Sequence, residues 1–132
     1  MHEIEVNVRF CETDLLGHVN NNNFFIYMED ARIRFFKDLD LVGEDWNFIV
    51  ASTKCDFIKQ VYFNQTLRIC SHVVKVGRSS FHLEQEMFEK ETGELVARGL
   101  SVIVQFDFEK QKSVALTPDM KKSLSSYQMA AN

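Results

Sequence analysis

Proline occurs once and glycine five times in this chain of 132 residues. That scarcity leaves no room for flexible linkers, and no repeat or low-complexity stretch interrupts the sequence. Cysteine is almost as rare. Cys11, Cys55 and Cys70 are odd in number and far apart, with no C-x-x-C pair, so neither a disulfide framework nor a cysteine zinc site has support. Each reads as a small buried apolar residue in a reducing compartment. The four histidines, His2, His18, His72 and His82, show no ligand spacing, and no metal or redox cofactor is expected. Positive charge is also short. The chain carries 15 Lys and Arg against 19 Asp and Glu, for a net charge of -4. Nucleic-acid binding needs a basic surface to displace counterions, so no nucleic-acid partner is expected. No apolar run is long enough to span a bilayer, and the N-terminal MHEIEVNVRF lacks a signal-peptide pattern. The expectation is a cytoplasmic protein without membrane insertion.

What the chain does have is phenylalanine, 12 of them, within a composition that is 45% hydrophobic and 26% charged. These values fit one globular domain over residues 1–132. So many large apolar side chains in a small domain imply a substantial core and a buried subunit interface.

Periodicity divides the chain into elements. Ile4, Val6, Val8 and Phe10 alternate with Glu5, Asn7 and Arg9, which predicts a half-buried strand from Ile4 to Phe10. A polar segment runs from Glu12 to Asn23. A long helix follows from about Asn22 to Leu39, with Phe24, Met28, Ala31, Phe35 and Leu39 on one stripe. Phe25, Ile26, Tyr27, Ile33 and Phe36 widen that stripe; Glu29, Asp30, Arg32, Arg34, Lys37 and Asp38 take the polar positions. After Gly43 the chemistry is that of strands: Asn47 to Lys59, Thr66 to Val76, Ser79 to Glu89 and Leu95 to Phe108. Thr92-Gly93 predicts a hairpin turn, Gly77 a tight connection, and Asn64 a positive-φ turn position. Thr117-Pro118 opens a short helix to Tyr127, with Pro at its first position.

Strand, long helix, then four strands predicts an α+β architecture in which a five-stranded antiparallel sheet wraps one long central helix. Its long edge strands need cover, which predicts a homo-oligomer.

The chemistry concentrates in Thr13 to Asn23, TDLLGHVNNNN. A carboxylate (Asp14), a flexible point (Gly17) and an imidazole (His18) stand just before a helix. Helix N-termini present unpaired N–H groups and a positive dipole end, the requirement for stabilising an oxyanion. A carboxylate beside such donors suits acyl transfer. The same residues also suit turn and capping roles: Asp14 in an Asx turn, His18 bonded to backbone, and one of Asn20 to Asn23 as helix cap.

Arg9-Phe10-x-Glu12-Thr13-Asp14-x-x-Gly17-His18-Val19-Asn20-Asn21, followed by Glu29-Asp30-Ala31-Arg32, resembles the 4-hydroxybenzoyl-CoA thioesterase-like group of hotdog-fold proteins. Asp56-Phe57-Ile58-Lys59 with Val61-Tyr62-Phe63, and Gly93-Glu94-Leu95-Val96-Ala97, extend the resemblance over about residues 4 to 108. It implies an acyl-CoA thioesterase acting as a homodimer or homotetramer, with the active site at the subunit interface. Asp14 would be nucleophile or general base, and the Asn21 backbone N–H would face the thioester oxygen. Gly17 and His18 would shape the loop, without proton transfer by His18. Asn20 would touch substrate, and Arg78, Ser79 and Ser80 in the third-to-fourth strand turn would meet CoA. Phe24 departs from the tyrosine of many relatives, so that hydroxyl is missing here. Two other readings compete. A hotdog hydratase needs a His and acid pair aimed at an acyl chain, which does not stand out. A non-catalytic acyl-thioester-binding protein is the other.

Overall fold

The computed structural model describes residues 2–14, 17–42 and 47–128. The elements in chain order are β1 (His2–Asn7), a 3-10 turn (Phe10–Glu12), α1 (Asn21–Asp38), β2 (Phe48–Phe57), β3 (Thr66–Val76), β4 (Ser80–Glu89), β5 (Leu95–Asp107), β6 (Lys112–Ser113) and α2 (Pro118–Ser125). β1 to β5 form one antiparallel sheet in the order β1-β3-β4-β5-β2, and β6 adds a two-residue strip to β5. No helix among the described residues is long and apolar enough to cross a membrane.

The expected stripe on α1 is the buried one. Phe24, Met28, Ala31, Phe35 and Leu39 are all at most 8% exposed. Met28 reaches the sheet at Gly99, where its thioether fills the space that a Cβ would take. The Gln85 amide, fully buried on β4, donates to the Met28 carbonyl at 3.0 Å and to Ser71 Oγ at 3.2 Å. Ser71, Gln85 and Gly99 therefore share the sheet face under α1, and the period of two turns Cys70, His72, Glu84, Glu86 and Arg98 to the other face.

The helical layer differs from the expected single central helix. α2, capped by the Thr117 hydroxyl with Pro118 at its first position, sinks Leu124 into the cluster built on Phe35, Phe36, Phe81 and Ile103. One 18-residue helix leaves that end of the core uncovered, and α2 covers it.

Three other expectations also need correction. β1 ends at Asn7 and Phe10 is 74% exposed, because the 3-10 turn breaks the alternation before Phe10. Arg32, given a polar position, is buried at 9% exposure. Cysteine is not uniformly buried: Cys11 is exposed, Cys55 half-buried and Cys70 buried. The turn chemistry stands as expected. Asn64 has φ 69° and Gly93 φ 73°, and the Gly77 N–H donates to the Ser80 carbonyl at 2.7 Å in the β3–β4 turn. Gly43 lies outside the described residues.

Among the described residues β2 is an edge strand that pairs only with β5, and the run Val50 to Lys54 is exposed. That edge matters for the assembly proposed below.

Candidate active site

The loop between β1 and α1 is held at both ends by backbone hydrogen bonds. Thr13 bridges Val19, the Asp14 N–H donates to the His18 carbonyl at 2.9 Å, and the Gly17 N–H donates to the Asp14 carbonyl at 2.9 Å. Gly17 sits at φ 81°, in the left-handed region where a side chain is disfavoured. The Val19 N–H donates to the Val61 carbonyl at 2.7 Å, and His18 bridges Tyr62. The loop is thus laid against the segment joining β2 to β3.

This folding brings His18 onto Asp14. His18 Nε2 is 2.8 Å from Asp14 Oδ2, and the two side chains are 23% and 35% exposed. A ring N–H that donates to one carboxylate oxygen restrains the orientation of the carboxylate. The pair is partly open to water, which suits a group that must meet a substrate.

Asn20 is the cap of α1. Its side-chain oxygen accepts from the Asn22 N–H at 2.9 Å, as expected of one residue in the asparagine run. Asn21 is then the first helical residue. Its N–H points out of the helix end with no intrahelical acceptor, at the positive end of the dipole. Asp14 and Asn21 lie at the two ends of one short loop.

A residue to which the motif assigns no role holds these ends together. Glu12 is 5% exposed. Its carboxylate accepts from the Arg9 N–H at 2.8 Å, the Arg9 guanidinium at 3.1 Å and the Tyr27 hydroxyl at 2.9 Å. Its main-chain carbonyl accepts from the Asn20 N–H at 3.0 Å and the Asn23 amide at 3.1 Å. One buried residue therefore ties the two ends of the loop to each other and to the first two turns of α1. Burial raises the Tyr27 phenol far above its ordinary value, with the Glu12 hydrogen bond and charge adding to this. A spacing of fifteen residues between Glu12 and Tyr27 carries no local pattern, so periodicity could not reveal this contact.

Around Asp14 the surface is apolar. A cleft of about 540 Å³ is lined by Phe10, Thr13, Asp14 and Gly17. The Phe10 and Phe63 rings meet edge to face at 5.7 Å, both more than half exposed. Phe57, Ile58 and Tyr62 are exposed nearby in sequence to the segment the loop rests on. The sequence placed Phe10 in the core; the structure places it at the mouth of the cleft.

Arg78 is exposed in the β3–β4 turn with Ser79 and Ser80 half-buried beside it. The Arg78 carbonyl accepts from the Leu116 N–H at 2.8 Å, which fixes the turn and leaves the guanidinium outside. A second cleft, of about 400 Å³, lies between α1 and β2 and is lined by Glu29, Arg32, Phe36 and Val50. Desolvation lowers the pKa of the Arg32 guanidinium there, opposed by Glu29. The Cys55 thiol is pushed up to about 11, first by burial and then by Asp56, so it is no nucleophile near neutral pH.

A carboxylate held by an imidazole at the edge of an apolar cleft, a few residues before a helix N-terminus, is a candidate site for acyl-transfer chemistry. On an antiparallel sheet packed on α1, this is the arrangement of a hotdog thioesterase. The family model described as the thioesterase-like superfamily matches residues 8–124, and the chain belongs to that family. It is 40% identical over 122 residues to the protein YsmA of Bacillus subtilis, covering 91% of this chain and 82% of that one. It is 24% identical over 126 residues to the long-chain acyl-CoA thioesterase FadM of Escherichia coli, covering 92% and 96%. Among solved structures, a thioesterase from Thermus thermophilus complexed with coenzyme A and Zn superposes with a TM-score of 0.84 at 32% identity, covering 96% and 93%. Thioester hydrolysis is the chemistry of this family.

Proposed function

We propose that the protein hydrolyses an acyl-CoA thioester to free acid and CoA, with Asp14 as nucleophile or general base and the Asn21 N–H as oxyanion donor. The observation that carries this reading is the Asp14–His18 pair at 2.8 Å, in the loop that leads directly into α1. Attack on the thioester carbonyl builds negative charge on its oxygen, and a helix N-terminus stabilises that charge without reorganising. His18 orients the carboxylate and Gly17 permits the loop, so neither needs to move a proton. The relatives FadM and the Thermus thioesterase act on or hold CoA compounds by name, which supports CoA as the carrier. The cytoplasm is the expected compartment. Release of free thiol from a panel of acyl-CoAs tests the reading, and absence of thiol release from every one would overturn it.

Asn20 at the helix end and Arg78, Ser79 and Ser80 in the β3–β4 turn are proposed to contact substrate, with Arg78 on the CoA phosphates. A phosphate contact remote from the thioester binds ground state and transition state alike. Arg78→Ala should therefore raise KM for acyl-CoA several-fold and leave kcat nearly unchanged. Steady-state kinetics decide this; an unchanged KM removes Arg78 from the site.

The functional unit is proposed to be a homodimer or homotetramer joined along β2. That strand offers ten residues of free sheet edge, and its middle is exposed. Unpaired strand edges are costly to leave open in a folded protein. Sedimentation equilibrium at micromolar concentration should give at least a dimer, and a monomer there contradicts the assembly.

A further inference from the structure

We propose that His72, Glu84 and Glu86 form a binding site for a divalent transition-metal ion on the sheet face opposite α1. It is independent of the thioesterase reading. The register pairs His72 of β3 with Glu84 of β4, and the period of two brings Glu86 to the same face. One donor atom from each residue lies within 4.8 Å of the other two. His72 is 2% exposed, and neither ring nitrogen has a hydrogen-bond partner among the described residues. Its Nε2 faces Glu84 Oε1 at 3.4 Å, beyond the usual range for a hydrogen bond. A buried imidazole without a partner is rare, because its lost hydration goes uncompensated. An ion between the ring and the two carboxylates would satisfy that nitrogen and neutralise both acids.

The donor set selects the ion. One imidazole nitrogen and two carboxylate oxygens suit zinc, nickel or cobalt, whereas calcium and magnesium prefer oxygen alone. Metal–ligand distances of about 2.0–2.2 Å require the carboxylates to draw inward by roughly 1 Å. Glu84 and Glu86 are 28% and 22% exposed, so their side chains are not fully enclosed. The competing cation is Arg98, whose guanidinium lies 3.3 Å from Glu86 Oε2 and 4.0 Å from Glu84 Oε1. It is 46% exposed and can swing into water when an ion arrives. The spacing 72, 84 and 86 resembles no ligand motif, because the residues meet through cross-strand register.

Titration calorimetry of the untagged full chain with zinc chloride tests the site. One ion per chain is expected, with micromolar or tighter affinity. Glu84→Gln should weaken zinc at least about tenfold, the scale on which metal-site partners act. His72→Ala should do the same, and Glu84→Gln keeps the test open should the buried substitution fail to fold. Arg98→Gln should tighten zinc, because the competing cation is gone. Cobalt(II) should give visible absorption bands that Glu84→Gln abolishes. No saturable zinc binding in the micromolar range overturns the proposal. So does zinc binding that neither Glu84→Gln nor Arg98→Gln alters. Thiol release from acyl-CoA, measured alongside, reports on Asp14 and is expected to be unaffected by Arg98→Gln.

Discussion

Asp14→Asn is expected to lower kcat for the best acyl-CoA substrate by roughly a hundredfold or more, the scale for removing a positioned base. Water near neutral pH is a poor nucleophile toward a thioester. A carboxylate helps either by attacking the carbonyl, giving a mixed anhydride, or by taking a proton from water. Both routes require the negative charge at Asp14. Asparagine keeps the shape of the side chain and can still bond to His18 across the present 2.8 Å contact. The loop should therefore hold, because its backbone bonds from Asp14 to His18 and from Gly17 to Asp14 do not involve the side chain. Substrate affinity, measured by titration with a non-hydrolysable acyl-CoA analogue, should change little. A folded Asp14→Asn protein with near wild-type turnover would reduce Asp14 to a loop residue and remove the proposed mechanism.

Glu12→Ala is expected to destabilise the protein by about 2–3 kcal/mol, since it strands buried donors. The Tyr27 hydroxyl loses its acceptor in the core, and the Arg9 N–H loses its own. Arg9 itself is 72% exposed, so its guanidinium is screened by water and adds little. Urea unfolding measures the loss as a lower midpoint. Turnover should fall as well, by about tenfold or more, because small displacements of catalytic groups are costly. Tyr27→Phe breaks one of these bonds and should cost only about 1 kcal/mol. The same pair sets an alkaline limit. The Tyr27 phenol is raised in the folded state, first by burial and then by Glu12. Its contribution to stability is complete below the ordinary tyrosine pKa of about 10 and is lost as pH rises from there through the folded value. A stability profile above pH 10 should fall more steeply in the wild type than in Tyr27→Phe. Equal midpoints for wild type and Glu12→Ala would show that the buried carboxylate does not hold the loop.

Much of the local structure of the candidate site was legible before the fold was known, and the reasons are local. Asp14, Gly17, His18 and the cap at Asn20 are neighbours in sequence, and turn and capping chemistry acts over a few residues. Asn20 indeed caps α1, and Gly17 takes the positive φ that its type permits. The direct His18–Asp14 contact was not legible, because two residues of one loop can face each other or turn apart with the same spacing. Glu12 was visible within the motif but silent about its role. Its partner Tyr27 comes from the second turn of a helix, and the contact exists only after α1 docks on the sheet.

By itself the sequence determined the two helices and the five main strands, the buried stripe of α1, the turns at Asn64 and Gly93, and the family to which the chain belongs. The elements, stripe and turns follow from periods of 3.6 and 2 and from backbone preferences of single residues, whereas the family was read from the resemblance of the motif around Asp14 to known sequences. The tertiary structure alone decided that Phe10 lies at the mouth of the cleft, that Arg32 is buried, that α2 closes the core, and that His72 meets Glu84 and Glu86. Periodicity says which face of an element a residue occupies. Which residues of distant elements then meet depends on strand order, register and the bulge between Val73 and Lys75, and these are set by the packing of the whole chain.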